Sequence, residues 1–172
     1  PRLSHGLLHQ PLASWSCART SYCPSSRASW SRARPPDIVT HLTANREVAR
    51  EHLLRASAHQ FPEGDVQHWW HPPSGRGVRT RFADDRIFLP FALAHYVATT
   101  ADASVLDETT PFIEGPPVPP EREDLYFQPE TSRETATVYE HCARALDVSL
   151  DVGSHGLPLM HGGEWNDGMN HV

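Results

Sequence analysis

Thr131-Ser-Arg-Glu-Thr-Ala-Thr-Val-Tyr-Glu-His-Cys-Ala-Arg-Ala-Leu-Asp-Val-Ser-Leu150 is the stretch on which the fold class turns. Its first four residues have the form of a capping box, in which a threonine hydroxyl and a glutamate carboxylate each satisfy an orphan backbone donor at a helix start. Val138, Cys142, Ala145, Leu146 and Leu150 then recur at helical spacing, and Gly153 supplies a stop. The spacing predicts one long helix.

Upstream, Thr43 or Asn45 can cap a second helix over residues 47–60, whose Ala49, Leu53 and Ala56 share a face. Phe61-Pro-Glu-Gly64 stops it, and residues 64–83 read as a long loop. Asp84 and Asp85 stand where N-caps belong, ahead of an apolar stretch over 87–97. Pro90 lies within that stretch, harmless in a first turn and kinking any deeper. The Pro-rich stretch over 111–129 excludes regular helix and central strand. Residues 156–172, rich in Gly, His and Trp, read as loop. No apolar/polar alternation of useful length appears, so the expected class is all-α.

The 172 residues suffice for one domain, and 38% hydrophobic with 21% charged residues is a soluble globular balance. No apolar run approaches the roughly 20 residues of a membrane helix, and no export signal opens the chain. With three cysteines and no C-x-x-C pair, a disulfide framework is not expected and a cytoplasmic setting is. The missing initiator Met suggests a piece of a longer reading frame. Residues 1–40 carry five Arg against one acid, but in a Ser- and Pro-rich context without helical period. That pattern reads as poor order, not as a nucleic-acid surface.

Two constellations carry chemistry. Glu63-Gly-Asp-Val-Gln-His-Trp-Trp-His-Pro-Pro-Ser-Gly-Arg-Gly-Val-Arg-Thr-Arg-Phe-Ala-Asp-Asp85 joins adjacent indoles to Arg and carboxylates. Such loops suit polyhydroxylated ligands, because Arg and Asp grip hydroxyls and indoles cover a pyranose face. For any single residue the plainer reading, a packing anchor or salt bridge, is the better one; for the cluster, binding gains ground. In Gly156-Leu-Pro-Leu-Met-His-Gly-Gly-Glu-Trp-Asn-Asp-Gly-Met-Asn170, Glu164 and Asp167 flank Trp165. A carboxyl group beside an indole is partly desolvated, which raises its pKa and suits it to general acid work. Taken alone, a Gly-rich turn would explain that segment as well. The histidines have no fixed ligand spacing, so no metal site is expected. No G-x-S-x-G elbow is present, and Cys142 falls on an apolar helix face.

Together these segments, with Tyr139-Glu-His-Cys-Ala-Arg-Ala-Leu146 between them, resemble glycoside hydrolase family 94 over about residues 44–172. The wording is nearest to the cyclic-β-1,2-glucan-synthase branch. The resemblance implies a partial (α/α)6 barrel and an inverting phosphorylase that turns a β-linked glucooligosaccharide and phosphate into α-glucose 1-phosphate. Inorganic phosphate is then a co-substrate, and no cofactor is implied. The resemblance makes Asp167 the acid and sets Trp165 beside the sugar. It gives Arg79 and Asp85 the hydroxyls of the transferred ring, and makes Gln67, His68, Trp69 and Trp70 the substrate wall. Residues 1–40 fit worst, as a disordered or frame-shifted segment. Residues 41–172 would be the first part of the barrel, cut after the acid motif and inactive alone. A homodimer is common in the family and is implied for a full-length parent. The rival expectations are a hydrolase on the same barrel that uses water, and a non-catalytic remnant that at most binds sugar. Glu164 and Ala83 depart from the family's usual Asp and Ser.

Overall fold

The computed structural model describes residues 45–163. In chain order the elements are α1 (Arg46–Ser57), β1 (Gln67–His71), β2 (Arg76–Thr80), α2 (Ala83–Thr100), a 3-10 turn (Ala103–Asp107), β3 (Thr109–Glu114), β4 (Asp124–Phe127), β5 (Glu130–Thr137) and α3 (Val138–Asp147).

Asn45 caps α1 by accepting a hydrogen bond from the Val48 N–H at 3.1 Å. Ala49 and Leu53 turn inward on the face that the spacing predicts. After α1 the chain reverses at Gly64, whose φ of 97° favours glycine. A Cβ there would also fall 2.6 Å from the Arg144 carbonyl oxygen of α3. β1 and β2 form an antiparallel hairpin, and β4 joins the far edge of β2 to give the order β1-β2-β4. β3 and β5 make a separate two-stranded antiparallel sheet.

α2 begins without a side-chain cap; Asp84 and Asp85 sit inside its first turn, where carboxylates complement the helix dipole. Pro90 lies deep in α2, so Arg86 offers a carbonyl that no Pro90 N–H can meet. Ala101, at φ 56°, closes the helix in the left-handed region. The core gathers Ala49 and Leu53 of α1, Leu89, Ala92, Leu93 and Tyr96 of α2, Val105, and Val138 and Cys142 of α3.

The all-α expectation is overturned. Three α-helices and two antiparallel sheets among the described residues make a mixed α/β arrangement, so these residues are not the purely helical part of an (α/α)6 barrel. Residues 64–83 are no loop: Gln-His-Trp-Trp-His is rich in aromatic strand formers. Most residues of β1 and β2 are buried on both faces, which erases the alternation expected of a half-buried strand. The capping box at Thr131 fails for a related reason. Residues 130–137 pair with β3, and α3 starts seven positions later, where Thr137 accepts from the Glu140 N–H at 3.1 Å. Leu150 and Gly153 lie beyond α3, which ends at Asp147. Residues 1–44 and 164–172 lie outside the described residues.

Candidate functional site

Asp85 stands in the first turn of α2 and is 4% exposed. Nδ1 of His68, from β1, lies 2.9 Å from each of its carboxylate oxygens. A carboxylate can only accept, so that ring nitrogen carries the proton. The Thr80 hydroxyl, at the end of β2, donates to Oδ2 at 2.7 Å. Hairpin and helix thus meet on one carboxylate, and Phe82 packs edge-on to the His68 ring with centroids 5.1 Å apart.

Arg79 occupies a different node. Its Nε and Nη2 donate to the two oxygens of Asp65, each at 2.6 Å, in the parallel geometry that guanidinium and carboxylate share. Nη1 donates to the carbonyls of Gly115 and Pro116, and Nη2 to Glu63 at 3.2 Å. The guanidinium also lies 3.8 Å from the Phe61 ring centre. All five donors are engaged inside the protein, so Arg79 can reach a sugar hydroxyl only by exchanging a contact. The 60%-exposed Glu63 is the contact most open to exchange.

Behind the hairpin, Gln67 accepts from the His59 ring at 2.7 Å and donates to Gly75. His59 stacks on Trp70 with centroids 3.7 Å apart, and burial lowers its pKa. A cavity of about 40 Å³ lies here, lined by His52, His59, Gln67, Trp70 and Asp85 among apolar groups of α1 and α2. It is on the scale of water, not of a pyranose. Trp69 is half-buried on the neighbouring strand row, tilted against Tyr126 of β4 with centroids 5.6 Å apart. Arg76 reaches over that tyrosine.

Asp167 and Trp165 lie outside the described residues, but the chain leading to them is held. Phe82 and His161 form an antiparallel bridge. The Gly162 N–H donates to the Arg81 carbonyl at 3.2 Å, and the Ala83 N–H donates to the Gly163 carbonyl at 3.1 Å. The approach to the acid motif is therefore pinned to residues 81–83, next to Asp85.

Of the residues singled out in the sequence, the structure brings Asp85, His68, Gln67 and Trp70 into one neighbourhood, and sets Arg79 on its own node and Trp69 on an outer row. Sequence reading passes over Thr80, His59 and Tyr126, whose roles come from pairing across strands and not from any linear motif. It also passes over the use of Asp65 as the partner of Arg79. Cys142 is buried, with its thiol pushed up to about 12 by desolvation, far from a nucleophile's range. Among the described residues no cluster of His, Cys, Asp and Glu is arranged to hold a metal ion, and no helix is long and apolar enough to cross a membrane.

Residues 9–172 match the family model described as the glycosyl hydrolase 94 superfamily, catalytic domain. The chain belongs to that superfamily. A cyclic beta-(1,2)-glucan synthase of Rhizobium meliloti is 43% identical over 171 residues, which is 99% of this chain and 6% of the relative. A solabiose phosphorylase of Paenibacillus borealis is 24% identical over 73% of the chain and 14% of its own length. An N,N'-diacetylchitobiose phosphorylase of Vibrio furnissii is 28% identical over 55% of the chain and 10% of its own length. The chain thus spans a small part of the length of each of these relatives. The family match takes in the Asp85 node and the Asp167 motif together.

Proposed function

We propose that this chain carries the glucosyl-holding wall and the acid of an active site for inverting phosphorolysis of β-glucosidic linkages. Phosphate oxygen attacks the anomeric carbon of the glucosyl unit and the bond to the departing sugar oxygen breaks. Asp167 gives that oxygen its proton, and α-glucose 1-phosphate forms with inverted configuration. Phosphate serves as nucleophile without the second carboxylate that a water-using inverter requires. Trp165 covers the sugar beside the acid and holds the Asp167 carboxyl in a drier setting. Asp85 accepts hydrogen bonds from hydroxyls of the transferred ring, Arg79 donates one through the position now occupied by Glu63, and Trp69 offers a ring face. Gln67, His68 and Trp70 stand behind as the wall that fixes these groups.

The observation that carries this reading is the bridge between Phe82 and His161. It brings the segment that leads into the acid motif onto the turn that presents Asp85. Gly163 is four residues from Asp167, and four residues of extended chain reach about 14 Å at most. The synthase relative makes a β-1,2-linked glucooligosaccharide the first substrate to try.

The test is sugar phosphate release by the protein that contains this chain. With oligosaccharide and inorganic phosphate, α-glucose 1-phosphate should accumulate in proportion to phosphate. Asp167→Asn should slow release by about 10²–10⁴-fold. Free glucose released at a rate indifferent to phosphate would instead identify a hydrolase. An unchanged rate for Asp167→Asn would remove the acid from this reading.

A further inference from the structure

We propose that His68 and Thr80 are positioning residues for Asp85, locking its carboxylate in the orientation in which it receives a sugar hydroxyl. This rests on the reading of Asp85 as a sugar ligand and adds what makes it a selective one. An aspartate rotates about two side-chain bonds, and a free carboxylate in a first helical turn would turn toward the N–H groups there. Here two donors from separate strands pin it: His68 Nδ1–H is equidistant at 2.9 Å from both oxygens, and Thr80 Oγ1 fixes Oδ2 at 2.7 Å. Those donors occupy part of the roughly four acceptor positions of a carboxylate. Acceptor capacity therefore remains for a ligand hydroxyl, while the plane of the group is set.

His68 is itself held. It lies at the irregular pairing between Gln67 and Trp69, where one extra residue turns its ring out of the normal alternation. The ring is 4% exposed and braced by Phe82. Phe82 also bridges to His161. The same aromatic residue thus steadies the donor to Asp85 and anchors the approach to Asp167. A bulged histidine at that register has no need of a buried carboxylate for strand pairing alone; its geometry is accounted for by aiming the acceptor.

The test is titration of the protein that contains this chain with the β-1,2-linked disaccharide sophorose, followed by calorimetry, for the unaltered protein and for Asp85→Asn, His68→Ala, His68→Asn and Thr80→Val. Loss of one hydrogen bond to a charged acceptor corresponds to about 10- to 100-fold in affinity. His68→Ala and Thr80→Val should each weaken binding within that range. His68→Asn, which offers an N–H at nearly the Nδ1 position, should recover most of it. Packing is separated by His68→Leu, which fills at least as much space beside Phe82 as Asn but carries no N–H, and should bind as weakly as His68→Ala. Nitrogen-15 spectra of the unaltered chain add a readout that needs neither ligand nor variant, and should show His68 Nδ1 protonated. Weak binding by Asp85→Asn with normal binding by His68→Ala and Thr80→Val would overturn the positioning role and leave the sugar ligand standing. Normal binding by Asp85→Asn, or none by the unaltered protein that contains this chain, would overturn the reading of Asp85 itself. An unprotonated Nδ1 would overturn the role of His68 whatever the affinities.

Discussion

Arg79 is 2% exposed and its side chain is saturated by Asp65, Glu63 and two carbonyls, so its first effect is on stability. Replacing it with Met removes the charge and leaves Asp65, only 17% exposed, without its bidentate partner. Breaking a buried pair from one side costs about 3–5 kcal/mol. Arg79→Met should therefore lower the urea midpoint sharply. Arg79→Lys should recover only part, since an ammonium cannot form two parallel bonds. Equal midpoints for the two variants would show that the planar pairing contributes nothing. Cys142 gives a second check at this scale: its thiol should resist alkylation in the folded chain and react once urea is added. That Asp85 and the Trp pair are spatial neighbours was legible, because they stand in one dense run. Which residue partners which was not legible: Asp65 takes Arg79, and Thr80 takes Asp85, across strands that the sequence reading left as loop.

Helices and strands differ in how visibly they announce themselves here. α1 keeps its cap at Asn45 and its inward Ala49 and Leu53, because a surface helix writes its buried face at a regular spacing. The β1–β2 hairpin writes none, since most of its residues are buried whichever face they belong to. At the start of α3 two Thr-x-x-Glu patterns compete, at 131–134 and at 137–140. Local chemistry alone does not choose between them; pairing of β5 with β3 does, by claiming residues 130–137 for the sheet. The two readings separate by mutation. Thr137→Ala should destabilise by about 1 kcal/mol through loss of the cap. Thr131→Ala, in a strand position exposed to solvent, should stay within about 0.5 kcal/mol. The reverse ranking in chemical denaturation would restore the longer helix. Gly77 tests the hairpin in the same way. A Cβ there would meet the Trp69 carbonyl oxygen at 2.0 Å, so Gly77→Ala should force β1 and β2 apart and cost more than either threonine change.

At the scale of the whole molecule, the buried His141 and the half-buried His59 add polar links between elements that also share the core. His141 of α3 donates through Nδ1 to Gln60 at 2.6 Å, and its Nε2 lies 3.0 Å from the Thr110 hydroxyl of β3. Gln60 in turn donates to the Gly64 and His141 carbonyls. One fully buried imidazole thereby connects α3, the end of the α1 region and the second sheet. His59 connects the same region to β1 through Gln67 and to Trp70 by stacking. Burial lowers both pKa values below the ordinary 6.5, although hydrogen bonds to Gln67 and to the Thr110 backbone oppose it. In the unfolded chain both rings take up protons as pH falls through about 6.5, while burial in the folded chain defers that uptake to lower pH. Unfolding therefore binds protons in that window, and stability must fall as pH falls. The contribution is complete above pH 6.5. Below it, each histidine removes up to about 1.4 kcal/mol per pH unit until its folded form also protonates. Urea midpoints should thus be level from pH 8 to 7 and decline from pH 6.5 to 5.5, a range above the ordinary carboxylate values. Replacing His141 with Gln should lower the midpoint at pH 7.5, yet flatten its decline between 6.5 and 5.5. A decline of unchanged steepness in that variant would place the acid sensitivity elsewhere and leave His141 as packing alone.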